Sequence, residues 1–303
     1  MLIERDLVGI YVPAVTPFLP NEELDLDSYR YYLEKLLSHD IQGLVINGTT
    51  GESPTLLWEE VTALVQLTKA CLNKLQKRLP VVVGTGTNST ASTVKRTELA
   101  GKLGADAVLV VTPYYNRPSQ AGVLEHFRRV VQVGIPVIAY DVPSRTGIHL
   151  TTDTVRKILD LNGVIGLKDS SGGIDLVSEL AKSDMKPILC GEDLHFYSML
   201  KHGASGGILA SANIQTELFL QVYQLSNQGK YSHAKKVFDS LVPLIKRLFQ
   251  ESNPSPIKWV LANQGLLASD TLRLPMGSIS KDLQLELEEL LQKPARYFSR
   301  LTW

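Results

Sequence analysis

Eight short runs rich in β-branched and other apolar residues recur along the chain, at 8–15, 43–47, 80–84, 107–112, 136–140, 164–168, 187–190 and 206–210. Several are apolar throughout rather than alternating, which suits strands buried on both faces of a parallel sheet. Amphipathic stretches separate them, at 26–38, 59–75, 90–103, 152–160, 173–182 and 194–202. In the first, Tyr29, Tyr32, Leu33, Leu36 and Leu37 recur at helical spacing. Strands alternating with helices predict an α/β protein, a TIM (β/α)8 barrel. A doubly wound open sheet is the alternative. The eightfold repeat, the lack of a dinucleotide-type glycine fingerprint and the reactive side chains that follow many of the strands favour the barrel.

After about residue 214 the strand pattern stops, and 215–228, 231–250, 256–263 and 281–291 all read as helices, with a kink expected at Pro243. This predicts a barrel over 1–230 and an appended C-terminal helical region over 231–303. With 303 residues, 44% of them hydrophobic and 20% charged, the chain has ample material for one large core. Lysine plus arginine equals aspartate plus glutamate, 31 each, so no net charge draws the chain to nucleic acid. No apolar run is long enough to cross a membrane, and the charged start of the chain lacks a signal core. A cytoplasmic protein is expected. The two cysteines, Cys71 and Cys190, have no metal spacing and are expected to be buried free thiols. The six histidines are scattered, and no metal site is expected.

In such a barrel the chemistry sits where the strands end. Lys168 ends the sixth run, Val164-Ile165-Gly166-Leu167-Lys168. Burial disfavours the charged form of an amine, and a neutral amine is a nucleophile that forms Schiff bases with carbonyl compounds. The plainer reading is a strand-end lysine with its head in water. Tyr140 ends the preceding run, one β–α–β step away, so the two side chains are expected to meet and the phenol to shuttle protons. After the second run comes Gly48-Thr49-Thr50-Gly51-Glu52-Ser53, whose hydroxyls and close backbone suit a small carboxylate; helix capping accounts for the same residue types. After the fourth comes Tyr114-Tyr115, of which one hydroxyl is expected toward the site. Arg145, after the fifth, suits a carboxylate bidentately, or else a surface ion pair with Asp141 or Asp169. Gly84-Thr85-Gly86-Thr87-Asn88 lacks the lysine of a phosphate loop and reads as a turn.

Together the GTTGES segment, Tyr140-Asp141-Val142-Pro143 and Gly166-Leu167-Lys168-Asp169 resemble the pyruvate-dependent class I aldolase superfamily, which includes dihydrodipicolinate synthases and N-acetylneuraminate lyases. The likeness runs from about residue 5 to 290. Within the superfamily the segments 114–120, 142–147, 253–259 and 270–276 are most similar to the dihydrodipicolinate synthases. The resemblance implies condensation of pyruvate with aspartate 4-semialdehyde. Lys168 would carry the imine and Tyr140 would exchange protons with it. Thr49 and Tyr115 would complete a proton relay, Tyr115 reaching into a partner subunit. Thr50 and the backbone at Ile208 would hold the pyruvate carboxylate, and Arg145 the second carboxylate. The resemblance also implies a homotetramer of tight dimers and no cofactor, because the protonated imine is itself the electron sink. A keto-sugar-acid aldolase with the same lysine is the alternative. A non-enzymatic keto-acid-binding paralogue is disfavoured by the retained Lys168, Tyr140, Tyr115, Thr49 and Thr50.

Two departures stand out. The family usually has asparagine beside the tyrosine; Asp141 here is expected to add charge near the site. Lysine-inhibited members carry histidine and glutamate where this chain has Trp58, Val61 and Ser92, although Asn88 is kept, so weak or absent inhibition by lysine is expected.

Overall fold

The apolar runs form eight parallel strands in the computed structural model, which describes residues 1–182 and 186–292. They are β1 (Gly9–Pro13), β2 (Gly43–Ile46), β3 (Val81–Gly84), β4 (Ala107–Val111), β5 (Val137–Asp141), β6 (Val164–Asp169), β7 (Ile188–Cys190) and β8 (Gly206–Ile208). Each pairs with the next, and β8 returns to β1, with Tyr11 level with Ile208, so the sheet is a closed (β/α)8 barrel.

Side chains alternate between two apolar layers. Tyr11, Val45, Val82, Leu109, Ile138 and Leu189 fill the barrel interior. Val12, Leu44, Val83, Val110, Ala139 and Leu167 face the helices. The helices are α1 (Leu26–Leu36), α2 (Trp58–Lys74), α3 (Thr90–Lys102), α4 (Gln120–Val131), α5 (Pro143–Thr146), α6 (Thr152–Leu159), α7 (Asp175–Leu180), α8 (Phe196–Lys201) and α9 (Thr216–Asn227). Beyond them lie α10 (Tyr231–Leu248), α11 (Ser255–Asn263) and α12 (Lys281–Gln292). Local capping helps set several starts: Asp25, Ser119 and Thr151 each accept a backbone N–H from the first turn that follows.

Two helices go beyond the sequence expectation. In α4, Val123, His126, Phe127 and Val130 form a buried stripe, a helical signal that the Pro118–Gly122 stretch before it obscures. The four-residue α5 is too short to carry a period. The α10 helix runs unbroken through Pro243. The boundary expected at 230/231 falls in the turn between α9 and α10. One apolar core crosses it, since Val237, Leu241, Ile257, Val260 and Leu283 join the cluster that covers the strands. Residues 293–303 of that region lie outside the described residues. Cys71 and Cys190 are both free and buried.

The pairing of β5 with β6 is irregular. Val137 is level with Val164, but Ile138 is level with Gly166, so Ile165 is an extra residue on β6. Beyond this bulge Tyr140 is level with Lys168 and Asp141 with Asp169. Gly166 is needed where the strand re-enters register: a Cβ there would lie 2.6 Å from the Pro187 carbonyl oxygen and 2.5 Å from Leu7. Gly166→Ala is therefore expected to destabilise the barrel by about 1–3 kcal/mol through overpacking, seen as a lower midpoint in thermal or urea unfolding. An unchanged midpoint would show that the wall can yield there.

Candidate active site

Lys168 is 7% exposed, and its Nζ lies 4.2 Å from the centroid of the Tyr140 ring. Strand register explains the meeting, because parallel partners project to the same side of the sheet. The Tyr140 carbonyl accepts the Thr112 N–H at 2.9 Å and the Thr112 hydroxyl at 3.1 Å, which fixes the strand just below the phenol. On the other flank Gly191, just past β7, leaves room for the lysine: a Cβ there would stand 2.8 Å from Lys168 Cε. Asp193 accepts the Ala210 and Ser211 N–H groups and so holds the turn that follows Ile208. Burial pushes the Asp193 carboxyl up, while the Lys168 charge is among the influences pulling it back.

The threonine loop is a 3-10 turn, Thr49–Gly51, ending at Glu52 in the left-handed region with φ 58°. A non-glycine residue there is held by its surroundings. The Glu52 carboxylate is buried against Lys258 Nζ at 2.7 Å, with the two side chains 1% and 0% exposed, and it also accepts the Arg273 backbone N–H at 3.2 Å. The Lys258 amine donates to the Thr271 carbonyl as well. Burial holds the lysine pKa below its usual range, with Glu52 opposing the shift. Arg273 clamps Glu60 through both terminal nitrogens, at 2.7 and 2.5 Å. Inside this frame the Asn253 side-chain amide donates to Thr50 Oγ1 at 3.1 Å.

A cavity of about 300 Å³ opens at this end of the barrel. Thr49, Tyr140 and Arg145 line it together, with Gly48, Tyr114, Arg96 and Ser53. Lys168 adjoins it through Tyr140, and Thr50 is buried behind Thr49, at 3% exposure. Ile208 ends β8 and belongs to the interior cluster. Arg145 stands on α5 and, among the described residues, has no ion-pair partner; the acids considered for that role, Asp141 and Asp169, are each 1% exposed. Of the tyrosine pair, Tyr114 lines the cavity, whereas Tyr115 is 88% exposed at φ 72°. Sequence reasoning passed over Tyr114 as the inward partner, and it passed over Arg96, Asn253, Lys258 and Arg273. Only the fold brings the last three to the loop. The one local signal for them is that Asn253 and Lys258 fall in segment 253–259, and Arg273 in segment 270–276, both of which already resembled the synthases.

Residues 6–294 match the model of the dihydrodipicolinate synthetase family. The chain belongs to that family. Among its relatives, 4-hydroxy-tetrahydrodipicolinate synthase 2 of Clostridium acetobutylicum is 37% identical over 93% of this chain and 99% of its own length. The solved 4-hydroxy-tetrahydrodipicolinate synthase of Methylacidiphilum fumariolicum superposes with a TM-score of 0.89 at 36% identity, covering 94% of this chain and 95% of that one. The chloride-inhibited dihydrodipicolinate synthase of Acinetobacter baumannii, solved with pyruvate, gives 0.90 at 33% identity, covering 94% of this chain and 98% of that one.

Asp141, the departure from the asparagine usual in the family, does not face the cavity. It alternates to the outer face of β5 with Val137 and Ala139, level with Asp169. Its carboxyl therefore lies near the site, behind the strand, and not on the cavity wall. Asp141 Oδ1 and Asp169 Oδ2 are buried and have no hydrogen-bond partner among the described residues. Burial first, and repulsion from Asp169 second, push the Asp141 carboxyl from 3.8 up to about 7. Burial raises the Asp169 carboxyl as well. A carboxyl whose folded pKa exceeds its unfolded value takes up a proton on folding, so stability falls as pH rises between those values. Stability should therefore decline between pH 3.8 and about 7 through this group. Asp141→Asn, neutral at every pH, is expected to flatten the decline and to melt above the parent at pH 8. A variant that melts below the parent at pH 8 would refute this.

Proposed function

We propose that this member of the family condenses pyruvate with L-aspartate 4-semialdehyde to 4-hydroxy-tetrahydrodipicolinate, as an aldolase-type lyase working through a Schiff base on Lys168. The observation that carries the reading is the buried Lys168 amine 4.2 Å from the Tyr140 ring centroid, at the mouth of a barrel of this family. The likeness to synthases over almost the whole chain supports the choice of substrates.

The Lys168 amine adds to the pyruvate keto carbon, and loss of water leaves the protonated imine. Tyr140 exchanges the protons that these steps require, through Thr49 and Tyr115. Thr50 and the backbone at Ile208 hold the pyruvate carboxylate. Asn253 donates to Thr50 Oγ1, which leaves the hydroxyl proton free for that carboxylate. The imine withdraws electrons from the adjacent methyl group, which loses a proton to give an enamine. The enamine attacks the aldehyde carbon while Arg145 binds the second carboxylate. The amine of the second substrate then displaces Lys168 from the imine carbon, closing the ring and freeing the enzyme.

Tyr115 serves a neighbouring copy in this reading, within a cytoplasmic homotetramer built from tight dimers, with the helices after residue 230 as interface material. Its 88% exposure in the single chain supports that role. Among the described residues no helix is long and apolar enough to cross a membrane.

Incubation with pyruvate followed by borohydride should leave a reduced pyruvate adduct on Lys168, weighed by mass spectrometry. Its absence would remove the imine mechanism. Arg145→Ala is expected to lower kcat/KM for the aldehyde by roughly tenfold or more, the worth of a charged hydrogen bond, while the adduct still forms. Equal losses in both would contradict the assignment of Arg145. Lysine at micromolar concentration is expected to leave the rate unchanged. Half-inhibition there would overturn the reading of Trp58, Val61 and Ser92.

A further inference from the structure

In the condensation reading the pyruvate carboxylate rests partly on the backbone at Ile208, the last residue of β8. Ile208 leads through Leu209 into the 3-10 turn Ala210–Asn213. The far end of that turn is tied to β1 and α1. The Asn213 amide donates to the Pro13 and Ala210 carbonyls at 3.0 and 2.8 Å, and it accepts the Tyr32 hydroxyl. At the near end the Leu209 N–H donates to the Tyr11 carbonyl at 3.2 Å. The next two N–H groups, of Ala210 and Ser211, open the turn and so have no acceptor within it. Both go to the Asp193 carboxylate, one to each oxygen, at 3.2 and 2.5 Å. Asp193 stands in the turn after β7 and is 2% exposed. A carboxylate is costly to bury unless hydrogen bonds or a nearby charge compensate it. Here the two N–H groups do so, and the Lys168 charge acts in the same sense. The same turn also borders the lysine: a Cβ on Gly191 would stand 2.8 Å from Lys168 Cε and 3.0 Å from its Cγ. One short segment, Gly191 to Asp193, thus abuts Lys168 at one end and clamps the Ile208 turn at the other.

We infer that Asp193 is a positioning residue for pyruvate: its carboxylate ties the turn after β8 to the turn after β7 and so fixes the Ile208 backbone relative to the Lys168 amine. Pyruvate must meet both at once, its keto carbon at the amine and its carboxylate at Ile208 and Thr50. Those two carbons are bonded to each other, so drift between the two holders is poorly tolerated. The second substrate is held elsewhere, by Arg145 on α5. Asp193 touches no substrate and acts through the backbone. The inference rests on Lys168 and Ile208 as the holders of pyruvate.

Borohydride trapping over a range of pyruvate concentrations gives the half-saturation of the Lys168 adduct without turnover, and steady-state rates give a KM for each substrate. Asp193→Asn keeps the size of the side chain, loses its charge and turns an amide NH2 toward one of the two N–H donors. It is expected to raise both the half-saturating pyruvate and the KM for pyruvate by roughly tenfold or more, the worth of a charged hydrogen bond. The KM for the aldehyde should stay unchanged, a split that general loosening of the fold would not produce. Ala210→Pro removes one of the two N–H groups with Asp193 in place, at the first position of a helical turn, where proline is tolerated. It should shift pyruvate in the same direction, and it decides by the same readouts where Asp193→Asn fails to fold. Unshifted pyruvate saturation, or KM values for both substrates that rise equally, would overturn the inference. Loss of the adduct from the parent protein would sink the condensation reading; a parent adduct with unshifted saturation in the variant would sink the role of Asp193 alone.

Discussion

A closed parallel barrel sends only alternate residues inward, so the site depends on the register between β5 and β6. A shift of one residue exchanges the inner and outer faces of a strand. Ile165 supplies that shift as a bulge, and after it Tyr140 and Lys168 face inward together while Asp141 and Asp169 face the helices. The two strands thus deliver a nucleophile and its proton carrier to one side of the wall and a pair of carboxyls to the other.

The second dependence is long-range. Glu52 and Lys258 are 206 positions apart and meet with both charges removed from water. Removing one partner of such a pair leaves an unpaired buried charge, which typically costs about 3–5 kcal/mol. Because Glu52 directly follows the turn that carries Thr49 and Thr50, the geometry of the loop is tied to α11 and to the segment that carries Arg273. Phe18 lies beneath both cations, with Lys258 Nζ and Arg273 Cζ each 4.3 Å from its ring centroid. The C-terminal helices therefore help to shape the active site as well as cover the barrel.

Charge is sorted across the barrel wall. The cavity walls present arginines and hydroxyls, a surface suited to keto acids and other carboxylates. The acids that directly follow Tyr140 and Lys168, Asp141 and Asp169, sit behind the strands, where burial favours their protonated forms. Substituting aspartate at position 141 therefore leaves the walls of the site cationic and moves its cost to the pH dependence of folding.

The eight strands were legible in the sequence because parallel barrel strands are apolar along their whole length, and most helices were legible from their stripes. Lys168, Tyr140 and the threonine loop stood out because strand ends are where this architecture places its chemistry, and their order along the chain carried the resemblance. α4 escaped although its stripe is present, since a proline and a glycine interrupt its start. Local pattern could not reveal the Ile165 bulge, because an apolar run reads the same with or without an extra residue. Nor could it choose Tyr114 over Tyr115 as the inward ring, turn Asp141 outward, or join Asn253 to Thr50 and Lys258 to Glu52. By itself the sequence determined which elements form and which residues can react, since both follow from local periodicity and side-chain chemistry. Only the tertiary structure decided which way each side chain faces and which distant partner holds it, because register and long-range pairing are settled when the barrel closes.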